Sequence, residues 1–87
     1  MNESILHRVR EVVADVFGVP VEQIAPESSP DTIAAWDSLQ HLNIVLALEQ
    51  AFAIQFEPEE IEQMLSVELI TMMVEEKQTQ GQAGARP

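Results

Sequence analysis

The sequence predicts an all-α fold, a small bundle of three main helices plus one short helix. Two observations carry it. Apolar residues recur at three- and four-residue steps in three separate stretches, and the alternating run Ile54-Gln55-Phe56 is too short for a useful strand. The 87 residues bound the chain to one domain with a thin core, and no cysteine is present to staple it.

The first helix is expected over about residues 4–17, where Ile5, Leu6, Val9, Val12, Val13, Val16 and Phe17 share one face. Ser4 or Asn2 can cap it, and Gly18 followed by Pro20 stops it. Val19 to Ile24 has room for one turn, with Val21 and Ile24 turned inward. Residues 25–35 read as a long loop, because Pro26, Ser28, Ser29, Pro30 and Asp31 are turn formers.

A second helix is predicted from about Ser38 to Ala53, capped by Asp37 or Ser38. Its apolar side chains fall into two stripes. Ile44, Val45, Leu48 and Phe52 make one, and Leu39, Leu42 and Leu46 make the other. One stripe suffices for a core; the second is either covered by another element or waits on the surface. Pro58 opens the short helix, with Glu57, Glu59 and Glu60 near its positive end and Ile61, Met64 and Leu65 facing inward. Ser66 caps the last helix, in which Val67, Leu69, Ile70, Met73 and Val74 carry the apolar pattern and Lys77 lies close to the negative end. Residues 1–77 form the expected domain. Residues 78–87 hold no large apolar side chain and read as a disordered tail.

Charge and composition exclude several function classes. The net charge is −11, and all but one of the 15 acidic residues lie between Glu11 and Glu76, a span without Lys or Arg. Such a field repels nucleic acid and anionic membrane and favours basic protein surfaces. No apolar segment approaches the roughly 20 residues that span a bilayer, and the first residues show no targeting pattern, so a cytoplasmic monomer is expected. His7 and His41 lack ligand spacing, and residues 31–37 lack the ligand alternation of a calcium loop, so no metal is expected. Ser38 sits in no nucleophile elbow and has no triad partners, which speaks against a hydrolase. His41 reads as a satisfied histidine near the core, and Trp36 as the anchor that fixes the start of the second helix.

One stretch remains. Asp37-Ser38-Leu39 opens a helix that continues Leu42-Asn43-Ile44-Val45-Leu46-Ala47-Leu48-Glu49-Gln50-Ala51-Phe52, and Ile54 and Phe56 follow before a short acidic helix and a final apolar one. This pattern, from about Ile5 to Glu76, resembles the acyl carrier protein family. The resemblance implies that Ser38 receives a covalent 4'-phosphopantetheine arm from coenzyme A, whose thiol holds acyl groups as thioesters, and that Asp37 assists the phosphopantetheinyl transferase. It implies a carrier and not an enzyme. It also implies that Leu39, Leu42, Leu46, Glu49, Glu59 and Glu60 dock acyl-loading and acyl-transferring enzymes with basic surfaces. Gln40 and Asn43 stand where fatty-acid-type carriers often place acids, and Trp36 replaces the usual small residue. These departures point toward specialised pathways such as polyketide assembly. An aminoacyl, peptidyl or D-alanyl carrier uses the same arm, and an unmodified acidic adaptor is the rival from another class.

Overall fold

The computed structural model describes residues 3–84, with side-chain environments through Gln78. Four α-helices and one 3₁₀ turn follow in chain order: α1 (Glu3–Phe17), the turn Val21–Gln23, α2 (Ser38–Phe52), α3 (Pro58–Glu62) and α4 (Val67–Gly84). No strand occurs among the described residues. Helix α1 packs against both α2 and α4. The core lies where the three meet, and Val9, Val13, Ile24, Ile44, Leu48, Met64, Val67, Ile70 and Val74 are all but fully buried in it. Thr71 is buried among them without cost, because its hydroxyl donates to the Val67 carbonyl at 2.9 Å.

Helix ends follow local chemistry. Gly18 takes a positive φ of 70°, and the Val19 and Gly18 N–H groups donate to the Ala14 and Asp15 carbonyls, a Schellman closure of α1. Ser4 lies within α1 and does not cap it, and Asn2 lies outside the described residues. Arg10 ties α1 to the 3₁₀ turn, its guanidinium donating to the carbonyls of Ile24 and Val21 at 2.6 and 3.2 Å. Helix α2 ends one residue before the expected boundary. Ala53 adopts a left-handed conformation with φ 55°, and the Ala53 and Ile54 N–H groups both donate to the Glu49 carbonyl. Glu49 is a local brace as well, since its carboxylate accepts the Phe56 N–H at 2.9 Å. Its inclusion in a docking surface did not foresee this use.

The long loop is tied down. The Ala25 N–H donates to the Ser28 hydroxyl at 2.8 Å, and turns around Ser29 and Thr32 are closed by their own side chains. The Pro26 and Ser28 carbonyls accept the Glu68 and Val67 N–H groups, while the Ser66 hydroxyl accepts that of Leu69. The first-turn donors of α4, which the helix itself leaves open, are thereby satisfied by a segment some 40 residues away in sequence.

Two expectations are corrected. Met64 is buried and Ile61 partly so, but Leu65 points to solvent at 60% exposure. Helix α3 ends at Glu62, and the Gln63–Ser66 link breaks the periodicity that was extended through Leu65. Lys77 is not at a helix terminus, because α4 runs on to Gly84. Instead it pairs with Glu60 at 2.7 Å and lies 5.7 Å from the centre of the Phe56 ring. The backbone of α4 continues through residues 78–84, the first part of the stretch read as a tail, and adding residues to an existing helix needs no new nucleus. Residues 85–87 lie outside the described residues.

Glu60 has its pKa held below the ordinary carboxylate value of 4.5, first by the Glu57 N–H that its carboxylate accepts at 2.7 Å and then by Lys77. The folded chain therefore binds that proton less tightly than the unfolded chain. This contribution is complete above the ordinary value and fades as pH falls through the lower, folded one. Glu60→Gln keeps an acceptor for Glu57 and loses the ion pair. It should cost about 0.5 kcal/mol near neutral pH, and the gap to wild type should close on acidification in urea titrations below the ordinary carboxylate value; a constant gap would remove the ion pair as its cause. Ala53→Gly removes the left-handed strain and should raise stability by up to about 1 kcal/mol by the same measurement.

Candidate functional site

The site is built around the first turn of α2. Asp37 is the N-cap residue, and its carboxylate accepts the Gln40 N–H at 2.9 Å. Ser38 is therefore the first helical residue. The His41 N–H makes the first intrahelical bond, to the Asp37 carbonyl at 2.8 Å. The N–H groups of Ser38 and Leu39 have no intrahelical acceptor and add to the positive end of the helix. Ser38 is exposed, and its hydroxyl has no hydrogen-bond partner among the described residues. The Asn43 side chain donates to the Gln40 side chain at 2.8 Å, which occupies the two positions where acids were looked for and not found.

What holds this turn in place was only half visible in the sequence. Trp36 is buried against Phe17, with ring centres 5.8 Å apart, as expected of an anchor. Its indole N–H donates to His41 Nδ1 at 2.9 Å, and the other ring nitrogen of His41 lies 2.9 Å from the Ile61 carbonyl. Indole only donates and a carbonyl only accepts, so both bonds are satisfied together by the neutral ring with its proton on Nε2. The relay links the loop, α2 and α3 across the first turn of α2. The sequence signal is a histidine on the buried side of α2, five residues after a lone tryptophan; its partner on α3 is a backbone carbonyl and leaves no signal.

The relay also settles chemistry. Both nitrogens of His41 are engaged, so it is not available as a base for Ser38. No cluster of three metal-ligating side chains occurs among the described residues, and no described helix is long and apolar enough to cross a membrane. Beside Ser38, Trp36, Leu42, Ile61, Met64 and Leu65 line an open groove of about 620 Å³.

The second stripe of α2 is on the surface. Leu39, Leu42 and Leu46 are 68%, 52% and 58% exposed, while Ile44, Val45 and Leu48 of the first stripe are buried and Phe52 is partly buried. Glu59 is exposed on α3, whereas Glu60 is turned to Lys77. An exposed hydroxyl at an open helix start suits attachment of an anionic phosphodiester, because backbone N–H groups and the helix dipole favour negative charge there. Asp37 adds one opposing charge, moderated by its bond to the Gln40 N–H.

The worth of the relay is open to a double-mutant cycle. Trp36→Phe and His41→Leu should each destabilise by about 1–3 kcal/mol in urea denaturation, with a coupling energy of about 1 kcal/mol. Additive effects would show that the Trp36–His41 bond contributes nothing.

Comparison with known proteins agrees with this geometry. The family described as Phosphopantetheine attachment site matches residues 7–74. The acyl carrier protein of Rubrobacter xylanophilus is 35% identical over 78 residues, which cover 90% of this chain and 96% of that one. The acyl carrier protein of Thermosynechococcus vestitus is 33% identical over 78 residues, covering 88% and 96%. Among solved structures, the solution structure of a holo acyl carrier protein from Geobacter metallireducens superposes with a TM-score of 0.81 at 27% identity, over 90% of each chain. With an all-helical fold, an exposed serine opening its second helix and these likenesses along most of its length, the chain belongs to the acyl carrier protein family and is a carrier bearing a phosphopantetheine attachment domain, not an enzyme.

Proposed function

We propose that Ser38 is the residue that bears the 4'-phosphopantetheine arm, and that the chain presents acyl groups to enzymes of fatty acid, polyketide or related specialised biosynthesis in the cytoplasm. The observation that carries this is the unbonded, solvent-facing hydroxyl at the first position of α2. A transferase reaches it without unfolding anything. The open N–H groups of the first turn then face the phosphodiester. When attached, the arm supplies the reactive thiol that this cysteine-free chain lacks, and a cargo is held on it as a thioester.

The chain's own residues orient and address the group. Asp37 caps the helix start with one carboxylate oxygen, and its charge assists the transferase. Leu39, Leu42 and Leu46 give the docking surface its apolar part. Glu59, with a smaller share from Glu60, steers basic partners to it. The missing acids at Gln40 and Asn43 support a specialised pathway over a housekeeping one, because that side of α2 offers fewer charges to a basic partner.

Intact-mass measurement after incubation with coenzyme A and a broad-range phosphopantetheinyl transferase tests the assignment. Wild type should gain one phosphopantetheine and Ser38→Ala none, with unchanged helical circular dichroism. An arm on the Ser38→Ala chain would move the attachment elsewhere. No arm on wild type with any transferase tried would leave an unmodified adaptor.

A further inference from the structure

The described residues expose six large apolar side chains in two sets: Leu39, Leu42 and Leu46 on α2, and Leu65, Leu69 and Met72 at and along α4, exposed by 60%, 39% and 52%. The second set is a puzzle for a helix that already buries Val67, Ile70, Thr71 and Val74 on its inner face. Its outer face should be polar. Leu69, Met72 and Glu76 follow one another at steps of three and four along α4, a ridge of about 10 Å, and Leu65, in the link before the helix, lines the same groove. The ridge flanks an open groove of about 830 Å³ between α3 and α4, floored by the partly buried Met73. Glu60, Glu62, Glu75 and Glu76 line the same groove; no basic side chain lines it, and Lys77 beside it is already taken up by Glu60.

We propose that this groove is a second docking surface, taken by a cationic amphipathic helix of a partner protein. The occupant follows from charge and backbone. An apolar seam ringed by carboxylates complements a helix with Leu or Met along one face and Lys or Arg at its edges. A second copy of this chain is disfavoured, because it brings the same carboxylates and a net charge of −11. An extended peptide gains no backbone pairing, since no strand edge exists among the described residues. A helix of about two turns matches the part of the ridge on α4, and a third turn reaches Leu65.

The placement gives the surface a use. Glu62 and Leu65 line both this groove and the one beside Ser38, so the two meet at the end of α3. Leu39, Leu42 and Leu46 stay clear of it. A protein held on the α3–α4 side leaves Leu39, Leu42 and Leu46 exposed but covers Glu62 and Leu65 at the edge of the groove beside Ser38, which couples the two surfaces. Binding there needs no modification, so it stands or falls separately from the assignment of Ser38.

The test uses the full chain, ¹⁵N-labelled, titrated with a 14-residue Leu/Lys amphipathic helical peptide and with its Leu/Glu counterpart. Expected are amide shifts over residues 60–65 and 69–76 with the Leu/Lys peptide alone, weakening as salt rises. Leu69→Gln/Met72→Gln should lower affinity about ten-fold, and Ser38→Ala should leave it unchanged. Both substituted apolar residues are exposed. Should that pair alter the fold, Glu62→Gln/Glu76→Gln serves instead and should weaken binding and flatten its salt dependence. Shifts confined to residues 38–46, equal affinity for the Leu/Glu peptide, or affinity untouched by either pair would overturn the proposal. So would a dimer of the free protein in sedimentation that Met72→Gln disperses.

Discussion

The relay from the Trp36 indole through His41 to the Ile61 carbonyl is the joint on which the functional surface depends. Helix α3 has only five residues and cannot hold itself in place. Its position comes from three points: the His41 bond at Ile61, the Lys77 pair at Glu60, and the burial of Met64. The first of these also fixes where α2 begins, and so where Ser38 faces water. A loop of eleven residues would otherwise leave the start of α2 free to wander. Here it is bound at one end by Trp36 and at the other by the bonds from Pro26 and Ser28 to the start of α4.

Much of this was legible because the decisive signals are local. Gly18, Asp37, Pro58 and Ser66 each act on backbone groups within a few residues, and the helices begin or end beside them. The split of α2 into two stripes was likewise open to counting, and so was the serine between them. Counting failed where the helix it assumed had stopped. Leu65 would lie beside Ile61 on a continuous helix, but the chain turns after Glu62 and sends it outward. The pairing of Pro26 and Ser28 with Glu68 and Val67 was invisible for another reason, since backbone carbonyls are common to all residues and no side-chain type announces such a bond. Glu49 shows the same limit, because its carboxylate is spent on a backbone N–H seven residues away.

The charge layout reads differently once the fold is known. Of the basic residues described, Arg10 serves two carbonyls, and Lys77 offsets Glu60 while Glu59 and Glu62 of α3 have no ion pair with it. Arg8 sits beside Glu11 on the exposed side of α1. The carboxylates of α3 and the outer side of α4 thus act together, and the apolar rows to either side of α3 share one electrostatic frame. A single small element, five residues long, divides the working face in two.

The lone tryptophan has an optical consequence. Trp36 is the chain's only indole, is 4% exposed, and stacks near an imidazole at 6.1 Å between ring centres. Its emission therefore reports on this one junction and on nothing else in the molecule. Any loosening of the Trp36–His41 contact exposes the indole to water and shifts its emission to the red, with no dye or label added.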